Sequence, residues 1–399
     1  MHIFLYGLIA RPLNYIIPIK RKNWIFGSDY GHMYREGSKY MLEYMLQYHP
    51  EYDCTFITKD RSVYDELKEK GIPCELNFSW KGIWKTLRAE YVFTSQYVFD
   101  ISLTYKKRNR KFYYFVHGQS FKVAQKALPA EYAEKYLGNK PSPKGFKAIV
   151  KGKISSFMYW LGQGYTMDDI EFVSSCSDFL VQFMRKDYGP EMNIKVLGMP
   201  RNDGLFQPDR MEKETWIPGL EGKTVITYMP THRKYGNGDA SPTPFGNNLE
   251  VQEWMRENDV VLLVKQHPNM INKMKCVVNN DVIKDISKMK LDPQIVIYHT
   301  DMLITDYSSV WIDYLILKRP MFFYLYDNFE EEDAGSYFDI RDEFPEYIAE
   351  KESDLYALLK GAKEKPMNYI PSDEIIHRYH KFVDGNSCER YFKEITNLH

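Results

Sequence analysis

Four short polar segments each follow an apolar run, and each holds side chains suited to a hydroxyl or a phosphate. In residues 115–122 (FVHGQSFK), His117 ends an apolar run and Gly118 comes next. An imidazole that titrates near neutrality can take a proton from a hydroxyl, and a glycine lets backbone approach a ligand closely. In residues 228–233 (YMPTHR), Thr231 offers a hydroxyl and Arg233 a planar fork for phosphate, after a proline that sets the turn. In residues 265–269 (KQHPN), Lys265 and His267 can both face an anion, and Pro268 stops the preceding run. In residues 301–313 (DMLITDYSSVWID), an apolar run enters Asp306, then Ser308 and Ser309 open a helix whose free N–H groups suit an anion. Asp306 and Asp313 are placed there to hold ribose hydroxyls or to orient a cation. Each segment alone also fits a structural use: a strand-end histidine, a polar loop, a capped helix.

The elements that must position these residues alternate between short β-rich runs and helical stretches. Residues 24–29, 54–58, 91–96 and 112–117 read as strands, and residues 36–49 and 61–70 as helices, the latter stopped by Gly71. In the second half, residues 225–229, 260–265, 295–298, 302–305 and 321–325 read as strands, and residues 310–317, 355–362 and 375–395 as helices. A βα repeat implies parallel sheets covered on both faces. The fold class is therefore α/β, with two Rossmann-like doubly wound domains facing a cleft. Breakers gather near residues 189–208. The division expected is 1–195 for an acceptor-binding, membrane-facing domain, 196–372 for a nucleotide-donor domain, and 373–399 for a C-terminal helix that packs back on the first.

Ligands of such sheets sit beyond the carboxyl ends of the strands. The last three segments lie in the second domain and suit phosphate, while His117 lies in the first and suits a general base. That is the layout of a transferase acting on a nucleotide-activated donor. The chain holds no GxxxxGK[ST], no GxGxxG after a strand and no DxD at a strand end, so the expectation is no cofactor and no obligatory metal.

Composition bounds the rest. The chain has 399 residues, 44% apolar and 27% charged, too long for a single ordinary core. Its formal net charge of -1 argues against a nucleic-acid binder. Five cysteines without a CxxC spacing fit a reducing compartment and no structural zinc. No apolar run reaches the length of a membrane-spanning helix. The first 22 residues carry four basic residues and no acidic one, and read as a strand and helix packed on the core or as an interfacial anchor.

Taken in order, the segments resemble the CDP-glycerol glycerophosphotransferase family, the primases and polymerases of teichoic acid and related capsule polymers. The resemblance rests on residues 116–122 (VHGQSFK), 198–203 (GMPRND), 229–233 (MPTHR), 266–268 (QHP), 303–309 (LITDYSS) with Asp313, Tyr314, Arg319 and Pro320, and Asp384 with Gly385. It implies a GT-B-type architecture and transfer of glycerol phosphate from CDP-glycerol to a hydroxyl of a lipid-linked saccharide or a glycerol-phosphate polymer, releasing CMP. The catalytic histidine corresponds to His117. His267 would contact the donor pyrophosphate, whose charge Thr231, Arg233, Ser308 and Ser309 would share. Gly118, Lys122, Arg201, Asn202 and Asp313 belong to the cleft. Val116 and Gln119 depart from the family pattern beside the histidine, and Arg35, Glu36 and Gly37 depart from it before the helix that begins SKY, which leaves the acceptor open. A ribitol-phosphate donor fits the same pattern. Two rivals are a nucleotide-sugar transferase of the same architecture and a non-catalytic polyanion or membrane-binding module.

Charge is segregated along the chain. Residues 106–153 hold thirteen Lys or Arg against two Glu, and residues 330–354 hold eleven acidic residues against two basic ones. Within 144–164, apolar residues recur at helical spacing between lysines, with Trp160 placed for an interface. The expected location is the cytoplasmic face of the cell membrane, bound peripherally to its anionic surface.

Overall fold

The computed structural model describes residues 2–96, 98–121, 156–157, 160–212, 216–231, 243–266, 278–327 and 336–397. The strands form where apolar runs are buried on both faces: every residue of β1 (Asn23–Gly27, NWIFG) and of β11 (Val260–Val264, VVLLV) is buried. The first domain also contains β2 (Asp53–Thr58), β3 (Cys74–Leu76), β4 (Tyr91–Thr94), β5 (Thr104–Tyr105), β6 (Lys111–Tyr114), β7 (Gln163–Gly164), β8 (Ile170–Ser175) and β9 (Ile194–Val196). Seven of these make one parallel sheet in the order β3-β2-β1-β4-β6-β8-β9, while β5 and β7 pair apart from it. The second domain adds β10 (Thr224–Met229), β12 (Ile283–Asp285), β13 (Met302–Thr305), β14 (Met321–Tyr324) and β15 (Ile348–Ala349), parallel throughout in the order β12-β11-β10-β13-β14-β15. The fold class expected from sequence is the one observed.

Helices cover the sheets. They include α1 (His2–Ile16), α2 (Glu36–Tyr48), α3 (Arg61–Glu69), α4 (Trp80–Arg88), α5 (Asp178–Tyr188), α6 (Leu249–Glu257), α7 (Pro293–Tyr298), α8 (Val310–Leu315), α9 (Glu352–Glu364), α10 (Asp373–Tyr379) and α11 (Ser387–Thr396). Caps written in the sequence start several of them: Asp60 accepts from Ser62 N, Ser177 from Leu180 N and Asn248 from Val251 N. Gly71, at φ 71, closes the turn after α3.

Three readings need correction. Residues 295–298 are helix, not strand, because Asp292 caps α7 through Gln294 N and Pro293 takes its first turn. Their β-branched character reflects burial, since Ile295, Val296 and Ile297 are all buried. The N-terminal segment is a single helix, with Pro12 inside it and no strand before it among the described residues. Residues 375–395 are two helices, not one, with the break holding Gly385 at φ 67.

The two domains share apolar packing. Trp311 of α8 is fully buried, with Phe121 of the first domain 5.6 Å away and Tyr379 of α10 4.7 Å away. The chain also returns: α11 packs on α2, and the Asp203 carboxylate accepts from Ser387 N at 2.9 Å and Cys388 N at 2.7 Å.

Candidate active site

Both sheets present their carboxyl ends to the cleft. In the second sheet the strand order reverses between β10 and β13, the usual ligand crevice of such folds. There Thr231 N donates to Asp306 Oδ1 at 2.7 Å, Ser308 N donates to the same oxygen at 3.2 Å, and Thr305 Oγ1 donates to Met229 O at 2.7 Å. Asp306 is fully buried, and its Oδ1 ties the chain after β10 to the turn after β13. Lys265 leaves the end of β11 beside it. Burial, and next the positive charge of Arg35 from the other domain, push its ammonium down to about 8, although Asp292 and Asp285 pull the other way.

In the first sheet the order reverses between β1 and β4. The start of α2 is bound there: Ser38 N donates to Ser95 Oγ at 2.8 Å and Ser38 Oγ donates to Gly27 O at 2.7 Å. Asp100 accepts from the backbone N–H of Tyr30, Ser95 and Gln96, yet burial dominates and its carboxyl is pushed up to about 6. Asp29, Tyr30 and Glu36 all sit in the left-handed region, at φ 50, 56 and 62, a cluster of strained backbone at this cleft.

His117 follows β6 and its side chain is 46% exposed, facing the cleft. Its Nδ1 lies 3.3 Å from Glu36 Oε1. Arg201 Nη1 donates to Glu36 Oε2 at 2.7 Å and also to the backbone O of His117, while its Nη2 lies 2.7 Å from Asp313 Oδ2. Asn202 Nδ2 donates to Asp313 Oδ1 at 2.9 Å, and Gln294 Nε2 donates to Asn202 Oδ1 at 2.6 Å. A continuous polar chain thus runs from His117 to α8 across the domain boundary. Burial acts to raise Glu36, but Arg201 and then His117 outweigh it and hold the carboxyl well below the usual range. Burial likewise opposes the Arg201 charge, and Asp313 and Glu36 overcome it, so the guanidinium is held above its ordinary value.

Close approach sets the cleft width. A Cβ on Gly118 would stand 2.7 Å from Ser309 Oγ, so glycine lets the histidine loop touch the second domain. The departure at Gln119 has a structural reason: its amide donates to Ser174 O and accepts from Cys176 N, fixing the loop to the end of β8.

Of the residues singled out in sequence, His117, Gly118, Arg201, Asn202, Asp313 and Ser309 come together, and Thr231, Asp306, Ser308 and Lys265 line the second domain's strand ends. Asp313 has both oxygens engaged by Arg201 and Asn202, so it is an interdomain tether instead of a ribose ligand. Lys122, Arg233 and His267 lie outside the described residues. No group of three or more His, Cys, Asp or Glu suited to a metal ion occurs among the described residues. Sequence reading missed Arg35, Glu36 and Lys39 as cleft residues, although the REGSK run before an apolar helix held the signal. Lys39 Nζ lies 3.3 Å from Asp292 Oδ2, a second tie between the domains.

The family model described as CDP-Glycerol:Poly(glycerophosphate) glycerophosphotransferase matches residues 9–397. The teichoic acid glycerol-phosphate primase of Bacillus subtilis is 27% identical over 230 residues, 57% of this chain and 58% of the relative. The teichoic acid ribitol-phosphate polymerase TarL of Staphylococcus aureus is 28% identical over 233 residues, 56% of this chain and 40% of the relative. A solved structure of the wall teichoic acid polymerase TagF, at 22% identity, aligns over 99% of this chain and 92% of that one with a TM-score of 0.70, a likeness of fold. The chain spans about half the length of the curated relatives it matches.

Proposed function

Because this chain belongs to the CDP-glycerol:poly(glycerophosphate) glycerophosphotransferase family, we propose that it transfers glycerol phosphate from CDP-glycerol to a hydroxyl of a glycerol-phosphate polymer or a lipid-linked saccharide. The observation that carries this reading is His117, exposed at a strand end of one domain, with the next residue, Gly118, lying close against Ser309 of the other. His117 takes the acceptor proton, the acceptor oxygen forms a bond to the β-phosphorus, and the bond to CMP breaks with its electron pair leaving on CMP. Lys265, with Arg35 near it, supplies positive charge for the diphosphate, so the rate comes from positioning and charge stabilisation. His267, Thr231, Arg233, Ser308 and Ser309 complete the donor side in this reading, and no obligatory metal takes part. The test is incubation of the full chain with CDP-glycerol and defined acceptors, with CMP release and product mass as readouts. Turnover of a nucleotide sugar instead, or no turnover with any donor, overturns the proposal. A CDP-ribitol arm in the same assay separates the two polyol donors.

We propose in addition that the chain acts while bound to an anionic membrane surface. No helix among the described residues is long and apolar enough to cross a membrane. What supports surface binding is α1, which turns an apolar stripe outward: Leu5, Leu8, Ile9, Tyr15 and Ile16 are all exposed, at helical spacing, and the helix holds no acidic residue. Beside it α4 exposes Trp80 and Trp84, with Arg88 over the Trp84 ring and Tyr6 of α1 against Trp80. Phe157 and Trp160 are exposed too, with the Arg11 guanidinium 3.9 Å over the Trp160 ring. Most of the basic stretch 106–153 lies outside the described residues.

A further inference from the structure

We propose that Glu36 is the positioning residue for His117: its carboxylate accepts the Nδ1–H bond, which leaves Nε2 unprotonated toward the acceptor hydroxyl, while Arg201 clamps the carboxylate and the histidine backbone together. This rests on the reading of His117 as the base. Glu36 is buried, and one oxygen faces the imidazole at 3.3 Å while the other faces Arg201 at 2.7 Å. Spacing of this length is usual for catalytic hydrogen bonds before substrate closes the site. A carboxylate can only accept, so it selects one tautomer of the ring; an amide or hydroxyl at the same place would permit either.

The backbone points the same way. Glu36 sits at φ 62, where a residue with a Cβ is strained, and glycine would relieve that strain. The neighbouring glycine, Gly37, is needed for another reason: a Cβ there would stand 2.5 Å from Phe115 Cβ. The chain thus carries a buried acid at a costly position, aimed at the imidazole. The remaining charges around it are accounted for: Arg35 pairs with Asp29 at 3.0 Å, and Arg201 with Asp313 at 2.7 Å. Arg201 also donates to the His117 carbonyl, and Lys39 pairs with Asp292 at 3.3 Å, so the domains stay tied without an acid at this position. Through Arg201 the orientation of the base is tied to α8, whose first residues lie on the donor side.

The experiment compares wild type, Glu36→Gln, Glu36→Asp and His117→Ala as full chains. Transfer from CDP-glycerol is followed by CMP release, and the ring nitrogens of 15N-labelled histidine report the His117 tautomer. Glu36→Gln is expected to lower kcat by about 10²-fold with donor KM changed less than about threefold, and to turn a single Nδ1–H tautomer into a mixture. Glu36→Asp keeps a carboxylate and is expected to keep the tautomer and recover most of kcat, which a loss of folding in the Gln variant would not mimic. Wild-type kcat and a single tautomer in Glu36→Gln, with His117→Ala inactive, overturns the role of Glu36 and leaves the base reading standing. Full activity in His117→Ala overturns both.

Discussion

His117 and Lys265 ask opposite things of the same cleft. The first must be open enough to meet a hydroxyl; the second is partly buried, so its charge is disfavoured until an anion lies beside it. His117→Ala is expected to lower kcat by about 10³-fold with little change in donor KM, as loss of a general base does. The test for Lys265 is its pH dependence. Its ammonium is pushed down to about 8 in the free protein, from 10.5, and a diphosphate beside it favours the charged form. Donor binding therefore takes up a proton above about pH 8. Affinity for CDP-glycerol is expected to be level below that pH and to fall as pH rises through it. Lys265→Met should weaken binding and flatten the slope, as measured by calorimetry in buffers of different ionisation enthalpy. His117 was legible in sequence because it ends an apolar run and is followed by glycine. Glu36 was not, because its meaning depends on a left-handed backbone and on His117 and Arg201, far away along the chain.

At the scale of elements, short segments hold the cleft together. Arg201 stands in a buried turn between two acids, one in each domain. Arg201→Ala leaves Glu36 and Asp313 buried without their partner and is expected to cost about 3–5 kcal/mol, read from the denaturation midpoint. Conversion of Arg201 to Lys should recover little, since one ammonium cannot serve both carboxylates and the His117 carbonyl in a fixed fork. The strands were readable because buried runs such as VVLLV admit few alternatives. Among the elements misread, α7 shows where that logic fails: a short apolar run fits a buried helix as well as a buried strand, and Asp292 with Pro293 decides the matter locally. The basic, acid-free N-terminus allowed an interfacial anchor to be read in sequence, but apolar residues at helical spacing do not say which side of α1 is wet. Trp80 and Trp84, four apart on α4, were the available clue.

At the scale of the whole molecule, a net charge of -1 conceals an apolar face with few acids. If that face meets lipid, Trp80→Ala with Trp84→Ala should reduce co-sedimentation with vesicles containing anionic phosphatidylglycerol, while leaving transfer to a soluble acceptor intact. Equal binding by the double variant and wild type argues against it. Tryptophan at a bilayer interface has both an apolar ring and a polar edge to place, so the loss should exceed that from Leu8→Ala.

The return of the chain has a mechanical consequence. Polypeptide passes from the first domain to the second between β9 and β10, and passes back after α9, with α10 packed on α5 of the first domain and Asp203 gripping the start of α11. Two bodies joined by one strap can both bend and swivel. Two straps side by side make a door hinge, which keeps the swing and suppresses the swivel. With Trp311 and Phe121 packed between the domains and Arg201 buried across them, the histidine edge and the opposite wall already stand in one register before donor or acceptor arrives.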